Sequence, residues 1–257
     1  MHTIRLPERM TSKERVRRVF EHREPDRVPI NYAANPGIDR KLKAHFGLAP
    51  DDHEGLLQVL GVDFRGVGAA YIGPRLHEPV EGRYVCPLWG VRSRWVEYGE
   101  SGYMDYCDFP LKDADVATID AWPMPSPEDY DYASVVELCE RYKDYAIYIG
   151  GPGIGDFINF SGRLRGMEEV LIGLITREPA QLRLMDRKLE IDLEVTRRTL
   201  EAAQGKVDLL WIGEDLGTQI GPMISRELFL EQILPRHQKL IEQASPNKWA
   251  TPMAVGP

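Results

Sequence analysis

Cysteine is scarce in this sequence, and so are long apolar runs. Only three cysteines occur in 257 residues, at the well-separated positions Cys86, Cys107 and Cys139. An odd number of distant cysteines does not build a disulfide framework, so a reducing compartment is expected. No stretch approaches the ~18 apolar residues of a membrane span, and the first residues contain no apolar signal core. These absences predict a cytoplasmic protein that does not enter a membrane.

Positive charge is also in deficit. Lysine and arginine together number 32 against 40 aspartates and glutamates, which gives a formal net charge of −8. Because nucleic-acid binding requires a concentrated basic surface, nucleic acid is excluded as a main partner. An anionic small molecule is not excluded, since two or three local arginines are enough to hold one.

Several motifs that carry chemistry are missing as well. The six histidines are scattered, without the paired His or Cys spacing of a zinc site, and no G-x-S-x-G nucleophile elbow is present. The segment Gly150–Asp156 is rich in glycine but matches neither a P-loop nor a dinucleotide-binding fingerprint. We interpret this segment as a turn where the backbone passes close to another group, and we predict no metal site.

What the sequence does contain is a regular alternation of short apolar runs and amphipathic segments. The runs predict four strands, at Val28–Tyr32, Val62–Tyr71, Tyr145–Gly151 and Val207–Gly213. Strands that alternate with helices imply an α/β protein with a parallel sheet. The sheet can be a doubly wound open sheet or a (β/α)8 TIM-barrel type. In both, functional residues lie just beyond the C-terminal ends of the strands.

Residues 75–110 interrupt this alternation. They contain many β-forming residues in stretches of period two, separated by glycines at Gly82, Gly90, Gly99 and Gly102. Such a pattern is typical of antiparallel strands joined by tight turns. We therefore expect an antiparallel insertion between two βα units.

The most conspicuous strand end lies within Leu209–Pro222, where Glu214 and Asp215 directly follow an apolar strand. Adjacent carboxylates at such a place must be paired, hydrated or protonated. They can serve as an acid/base pair, bind a cation or accept hydrogen bonds from a substrate. Alternatively, Asp215 caps the loop backbone and Glu214 forms a salt bridge at the rim. We favour a functional role, since strand ends hold the active sites of such folds.

Other polar or aromatic residues follow the same strands. Arg75 suits a carboxylate, because its guanidinium can form a bidentate pair. Each residue can instead stabilise its own loop. With Glu214 and Asp215 as the catalytic candidates, the substrate-binding candidates are Asn31, Asn35, Tyr71, Arg75, Phe157 and Gln219.

Three segments together resemble the uroporphyrinogen decarboxylase superfamily. The opening TSKERVRRVFEHREPDRVPI is similar to that superfamily's first helix, its R-x-P-D-R-x-P turn and its first strand. PLKDADVATIDAWPMPSP resembles its proline-rich spacer. DLLWIGEDLGTQIGPMISRELFLEQILPRHQKLI resembles its fourth strand, acidic loop and next helix. The resemblance spans about Thr11 to Gln243 and implies a (β/α)8 barrel.

The resemblance implies one of two activities. Some members decarboxylate uroporphyrinogen without a metal, and others use zinc to transfer methyl groups to or from a corrinoid protein or a thiol. The decarboxylases carry R-Q-A-G-R-Y after the first strand, whereas this chain has no arginine at Asn31–Gly37. This favours the methyltransferase-like branch, demethylating a small methylated compound. Glu214 and Asp215 would position the substrate or a metal-bound water, and Asn31 and Tyr71 would line the pocket. Uroporphyrinogen decarboxylation is the alternative.

The end of the sequence departs from that branch, whose zinc motif H-x-C follows a fifth strand. Residues 244–257 contain neither a β-run nor these ligands. The residues after Gly213 are too few for four more βα units at roughly 30 residues each. We therefore expect a truncated barrel of about four βα units at 1–243 and an irregular tail. Zinc and a corrinoid partner would belong to the full-length parent. An open half-barrel also predicts a homodimer or an inactive fragment.

Overall fold

The computed structural model describes residues 8–99 and 101–244 and shows an α/β protein. The strands are β1 (Phe64–Gly66), β2 (Ala70–Tyr71), β3 (Tyr84–Val85), β4 (Arg92–Tyr98), β5 (Ser101–Tyr106), β6 (Tyr130–Asp131), β7 (Ala146–Gly150) and β8 (Leu209–Trp211). The helices are α1 (Ser12–Phe20), α2 (Pro36–His45), α3 (His53–Leu60), α4 (Val116–Ala121), α5 (Ala133–Arg141), α6 (Phe157–Arg165), α7 (Met167–Thr176), α8 (Pro179–Ala203), α9 (Arg226–Leu228) and α10 (Leu234–Ala244). A 3-10 turn spans Pro127–Asp129, and a π-helical turn, Phe229–Ile233, joins α9 to α10.

A three-stranded parallel sheet forms the centre of the fold. Its spatial order is β1-β7-β8, the same as the order of these strands along the chain. The register sets Phe64 of β1 beside Ala146 of β7, and Tyr148 of β7 beside Leu209 of β8. None of the sheets formed by residues 8–99 and 101–244 closes on itself.

The two faces of this sheet differ in what covers them. Ile147 and Ile149 are buried in an apolar cluster with Val135 and Cys139 of α5 and with the end of α8. The opposite face carries Tyr148 and Trp211, whose ring centroids lie 5.6 Å apart, and Trp211 is 39% exposed. Helix α1 packs against β7. The helices therefore bury one face and leave the aromatic residues of the other partly open.

The antiparallel insertion predicted at residues 75–110 is confirmed. Strands β3, β4 and β5 form a separate antiparallel sheet, and β2 pairs with β6 in a short antiparallel ladder. In the β4–β5 ladder, Trp95 lies opposite Met104 and Val96 lies opposite Tyr103. The period-two pattern and the glycine turns of this segment produced the expected hairpins.

The first predicted strand is wrong. Residues 28–32 form no strand, and Val28 is 79% exposed. Pro29 has no N–H group to donate to a ladder, which disfavours regular pairing there. The segment is nevertheless fixed beside β1, because Ile30 donates its N–H to the Asp63 carboxylate and Asp63 donates its N–H to the Ile30 carbonyl, each at 2.8 Å. The described part of the parallel sheet thus has three strands instead of four.

The helices follow the sequence signals closely. Thr11 and Glu14 form a capping box at the start of α1, and Ser225 caps α9. In α7 the buried residues Val170, Gly173 and Leu174 follow the helical spacing i, i+3, i+4, and the buried residues of α8 repeat with the same period. Apart from Ala244, which ends α10, the expected irregular tail lies outside the described residues. Within the described ranges, no helix is both long and apolar enough to cross a membrane.

Candidate functional site

Glu214 reaches from the end of β8 to the start of α6. Its carboxylate accepts the backbone N–H of Phe157 at 2.8 Å and that of Ile158 at 3.2 Å. These N–H groups belong to the first turn of α6 and have no partner inside the helix. Glu214 therefore caps a helix that follows a different strand, β7, and its negative charge is favoured by the dipole of that helix.

A second carboxyl lies beside it. Asp156 is only 2% exposed, precedes α6 and lies close enough to Glu214 for its charge to raise the pKa of that carboxyl. Its Oδ1 is buried and receives no hydrogen bond from a donor among the described residues. Arg163 Nη2 lies 3.3 Å from the other oxygen, Asp156 Oδ2.

The surroundings of this carboxyl pair, Asp156 and Glu214, raise both pKa values. Burial raises the pKa of Glu214 to about 8, and the charge of Asp156 adds to this, while the N–H groups of Phe157 and Ile158 oppose it. Burial also raises the pKa of Asp156, against the lowering effect of Arg163. Interacting groups of this kind titrate as a unit. The pair therefore retains a proton at neutral pH.

Asp156 forms part of the wall of a cavity with a volume of about 730 Å³. This large cavity lies between the C-terminal ends of β1 and β7, helix α8 and the antiparallel sheet. Aromatic side chains of Trp89, Tyr106, Tyr130 and Phe160 line it, and Trp89 meets Phe160 edge-on with ring centroids 5.0 Å apart. A mostly apolar cavity of this size with a few polar groups is typical of a small-molecule site.

A buried ion pair fixes the glycine-rich segment that carries Asp156. Lys188 and Asp192, one turn apart on α8, form a short salt bridge and are 4% and 3% exposed. Lys188 donates to the Gly153 carbonyl at 3.1 Å, and Asp192 accepts the Gly155 N–H at 3.1 Å. The segment also passes close to β8, since a Cβ on Gly150 would collide with the Trp211 carbonyl oxygen. The interpretation of a close-approach turn is confirmed.

Replacing Lys188 with methionine should lower the free energy of unfolding by about 3 to 5 kcal/mol, because Asp192 would stay buried without its cation. The double variant Lys188→Met/Asp192→Leu should recover much of this loss, since no buried charge remains. Lys206→Met is the control, because Lys206 pairs with Glu140 at the surface. Chemical denaturation of the three variants measures the differences. Equal losses in Lys188→Met and Lys206→Met would contradict a structural role for the buried pair.

Three of the candidate residues predicted from the sequence, Glu214, Asp215 and Phe157, come together at the start of α6. Asp215 is exposed beside Glu214 and accepts a hydrogen bond from Asn159 Nδ2 at 2.9 Å. Phe157 is fully buried and stacks on His237 with centroids 5.6 Å apart, so it belongs to the core and does not face the large cavity. Gln219 lies exposed in the loop after β8.

The other predicted site residues serve their own loops. Asn35 caps α2 by accepting the Ile38 N–H at 2.9 Å. Tyr71 donates to the Pro74 carbonyl at 2.8 Å, and Arg75 donates to the His77 carbonyl at 3.1 Å. Neither these residues nor Asn31 line the large cavity.

Asn31 lines a second, more open cavity. This cavity has a volume of about 450 Å³ and is also bordered by Arg65 and Tyr148. Asn31 Oδ1 accepts the N–H of Tyr32 at 2.9 Å. The structure thus separates Asn31 from Glu214 and Asp215.

Sequence reasoning missed three charged residues of the site, Asp156, Lys188 and Asp192. Asp156 ends a glycine-rich strand-end segment, and that position was the available signal for it. Lys188 and Asp192 are spaced i, i+4 on an amphipathic helix, a pattern that usually marks an exposed pair. Only their burial distinguishes Lys188 and Asp192 from such an exposed pair.

Neither metal ligands nor relatives add a further constraint. Among residues 8–99 and 101–244, no group of three or more His, Cys, Asp or Glu side chains is arranged to hold a metal ion. A scan against protein-family models and a search of curated proteins find no match to this chain. The geometry of the site must therefore support any functional proposal.

Proposed function

We propose that this chain is a barrel-type enzyme of the uroporphyrinogen decarboxylase superfamily, from the methyltransferase-like branch, that demethylates a small methylated compound. The observation that carries the proposal is the carboxyl pair, whose pKa values burial raises, with Asp156 on the wall of a mostly apolar cavity and Glu214 beside it. This pair lies beyond the C-terminal ends of parallel strands, where barrel enzymes hold their catalytic groups.

The order of the parallel strands agrees with a barrel, and three consecutive strands also occur on one side of a doubly wound sheet. In a doubly wound sheet the spatial order reverses at a switch point, whereas strands of a (β/α)8 barrel follow one another as they do along the chain. The order β1-β7-β8 follows the second rule. The aromatic face of Tyr148 and Trp211 would then point toward the barrel interior.

Proton donation is the chemistry that the carboxyl pair can supply. Removal of a methyl group from a methoxy compound breaks a carbon–oxygen bond, and the leaving oxygen takes up a proton. A carboxyl with a pKa of about 8 is protonated at neutral pH and close to the pKa that suits a general acid. Asp156 faces the cavity and would deliver this proton, while Glu214 would share it and replace it.

The methyl group would pass to an acceptor held by a corrinoid partner protein. In this branch zinc activates one of the reacting groups. The described residues offer zinc no fitting set of ligands. The role proposed for this chain is therefore confined to substrate binding and proton transfer by its own side chains.

The charges of the large cavity disfavour the decarboxylase alternative. Uroporphyrinogen carries several carboxylates, each of which requires a cationic or hydrogen-bonding partner. Among the described residues that line the cavity, the cations are Arg163 and Lys188. Because Lys188 is already paired with Asp192, the lining suits a substrate with far less negative charge.

A methyl-transfer assay tests the proposed function. The full chain is given zinc, reduced cobalamin and a panel of methoxylated and methylated compounds, and methylcobalamin is followed by its absorbance. We expect methyl transfer from at least one compound. Carbon dioxide release from uroporphyrinogen without methyl transfer would support the decarboxylase alternative. Absence of both activities would contradict the reaction proposed for this chain.

A further inference from the structure

We infer that the large cavity binds an acid with one negative charge and an apolar body, and that Arg163 of α6 holds its anionic group. This inference rests on the proposed function, because the ligand would be the substrate presented to Asp156 and Glu214. It adds the chemical class of that substrate. The binding can be measured without turnover, so the two proposals can fail separately.

Of the two cations that line the cavity, Arg163 is the one whose N–H donors form no hydrogen bond with the described residues. Its side chain is 34% exposed, and its guanidinium lies over the Tyr106 ring at 5.3 Å from the centroid. Its ion contact with Asp156 is 3.3 Å long, and it donates no hydrogen bond to the described residues. A guanidinium has five N–H donors in a planar fork that matches a carboxylate. Arg163 can therefore accept an anionic ligand without losing an internal hydrogen bond.

The charges around Arg163 limit the ligand to one negative group. Lys188, the other cation of the lining, is neutralised by Asp192 and donates to the Gly153 carbonyl. Asp156 meets Arg163 through one contact of 3.3 Å, which leaves the other N–H groups of the guanidinium for a ligand. A second anionic group in the cavity would find no unpaired cation, because Lys188 is already paired with Asp192, and its burial without a partner would be unfavourable.

The rest of the lining requires an apolar ligand body. Trp89 and Phe160 form one wall, and Ile149, Ile191 and Val195 contribute aliphatic surface. A volume of about 730 Å³ accommodates one or two fused rings. An apolar body is favoured because it removes these side chains from water.

Calorimetric titration of the full chain with three matched probes tests the inference. The probes are 2-naphthoate, neutral 2-naphthamide and cationic 2-naphthylmethylamine, which share one apolar body and differ in charge. We expect 2-naphthoate to bind at least tenfold more tightly than the other two. Equal binding of the three, preference for the amine, or no binding of any probe would overturn the inference.

Variants of the chain assign the preference to one side chain. Arg163→Gln should weaken 2-naphthoate binding about tenfold and leave 2-naphthamide binding unchanged, because only the charge-assisted pair is lost. Arg83→Gln is the control, since Arg83 pairs with Asp108 away from the cavity. If circular dichroism shows that Arg163→Gln is unfolded, Arg163→Lys should retain part of the preference. A preference that survives unchanged in folded Arg163→Gln would overturn the role of Arg163.

Glu214→Gln separates this inference from the proposed function. The variant should still bind 2-naphthoate, since Glu214 lies outside the cavity lining. Selective 2-naphthoate binding without any methyl transfer would leave the ligand class standing and refute the proposed reaction. Methyl transfer without charge-selective binding would refute the ligand class and leave the proposed reaction standing.

Discussion

Replacing Asp63 with alanine should lower the free energy of unfolding by about 3 to 5 kcal/mol, because a buried ion network would lose its central carboxylate. Asp63 is fully buried and accepts hydrogen bonds from Ser12, Arg15, Arg27 and the Ile30 N–H. Arg15 is also fully buried, with Nη1 at 2.6 Å from Asp63 Oδ1. Without this carboxylate, the Arg15 charge would stay in the interior with Asp26 as its main partner.

Asp105→Ala is the matched control for this prediction. Asp105 forms an exposed ion pair with Arg94 at 3.5 Å, and pairs of this kind contribute about 0 to 1 kcal/mol. Urea unfolding followed by circular dichroism compares the two variants with the unsubstituted chain. Similar losses in both would show that the buried network does not hold α1 and the segment before β1 in place.

Replacing Glu214 with glutamine should lower the rate of methyl transfer by about 10² to 10⁴-fold, the range for loss of general-acid catalysis, because Asp156 would deliver a proton that Glu214 shares and replaces. The amide has nearly the same shape, and its oxygen can still accept the N–H groups of Phe157 and Ile158. The glutamine side chain, however, cannot hold or release the proton of the carboxyl pair. We therefore expect kcat to fall and KM to change little, because substrate binding lies with Arg163 and the apolar walls.

Glu231→Gln controls for the loss of a carboxylate elsewhere. Glu231 pairs with Arg177 on the surface and takes no part in the site, so the rate should match that of the unsubstituted chain. Steady-state kinetics of both variants, at several pH values, give kcat and KM. A Glu214→Gln enzyme as fast as the control would exclude proton donation by the pair.

The same substitution should change how stability depends on pH. The folded pKa of Glu214, about 8, exceeds its ordinary value of 4.5, so the folded chain holds a proton that the unfolded chain releases. The contribution of this group to stability is therefore complete below pH 4.5 and is lost as the pH rises toward 8. Above pH 8, Glu214→Gln should be more stable than the unsubstituted chain, on the order of a few kcal/mol. Unfolding curves between pH 5 and 9 measure this, and parallel curves for the two proteins would contradict it.

Local signals in the sequence predicted a large part of the fold. The capping box at Thr11, the apolar periodicity of α7 and α8, and the glycine turns of the antiparallel insertion each involve residues close along the chain. The apolar run at residues 28–32 led to a wrong prediction of a strand, because β-forming residues surround a proline there. The backbone there is held by a side chain, that of Asp63, and local propensity carries no information on such a contact.

The candidate site could also be predicted only in part, because contacts between residues far apart along the chain define it. Glu214 was identified because it ends a strand, a position that can be read along the chain. Its partner Asp156 ends another strand, and the two meet only because β7 and β8 are neighbours in the sheet. Arg75 and Asn35 carry suitable polar groups, but these groups already form hydrogen bonds with neighbouring backbone groups. Composition cannot distinguish an arginine that is satisfied by its own loop from one with free donors, such as Arg163.

A carbon-13 titration of the Glu214 carboxyl, assigned by comparison with Glu214→Gln, tests the shared proton most directly. We predict that the carboxyl ionises near pH 8 and that Asp156→Asn lowers this pKa, because the neighbouring charge is removed while burial remains. Ionisation near the ordinary value of 4.5, unchanged by Asp156→Asn, would contradict a protonated pair at neutral pH and with it the proposed role in proton transfer.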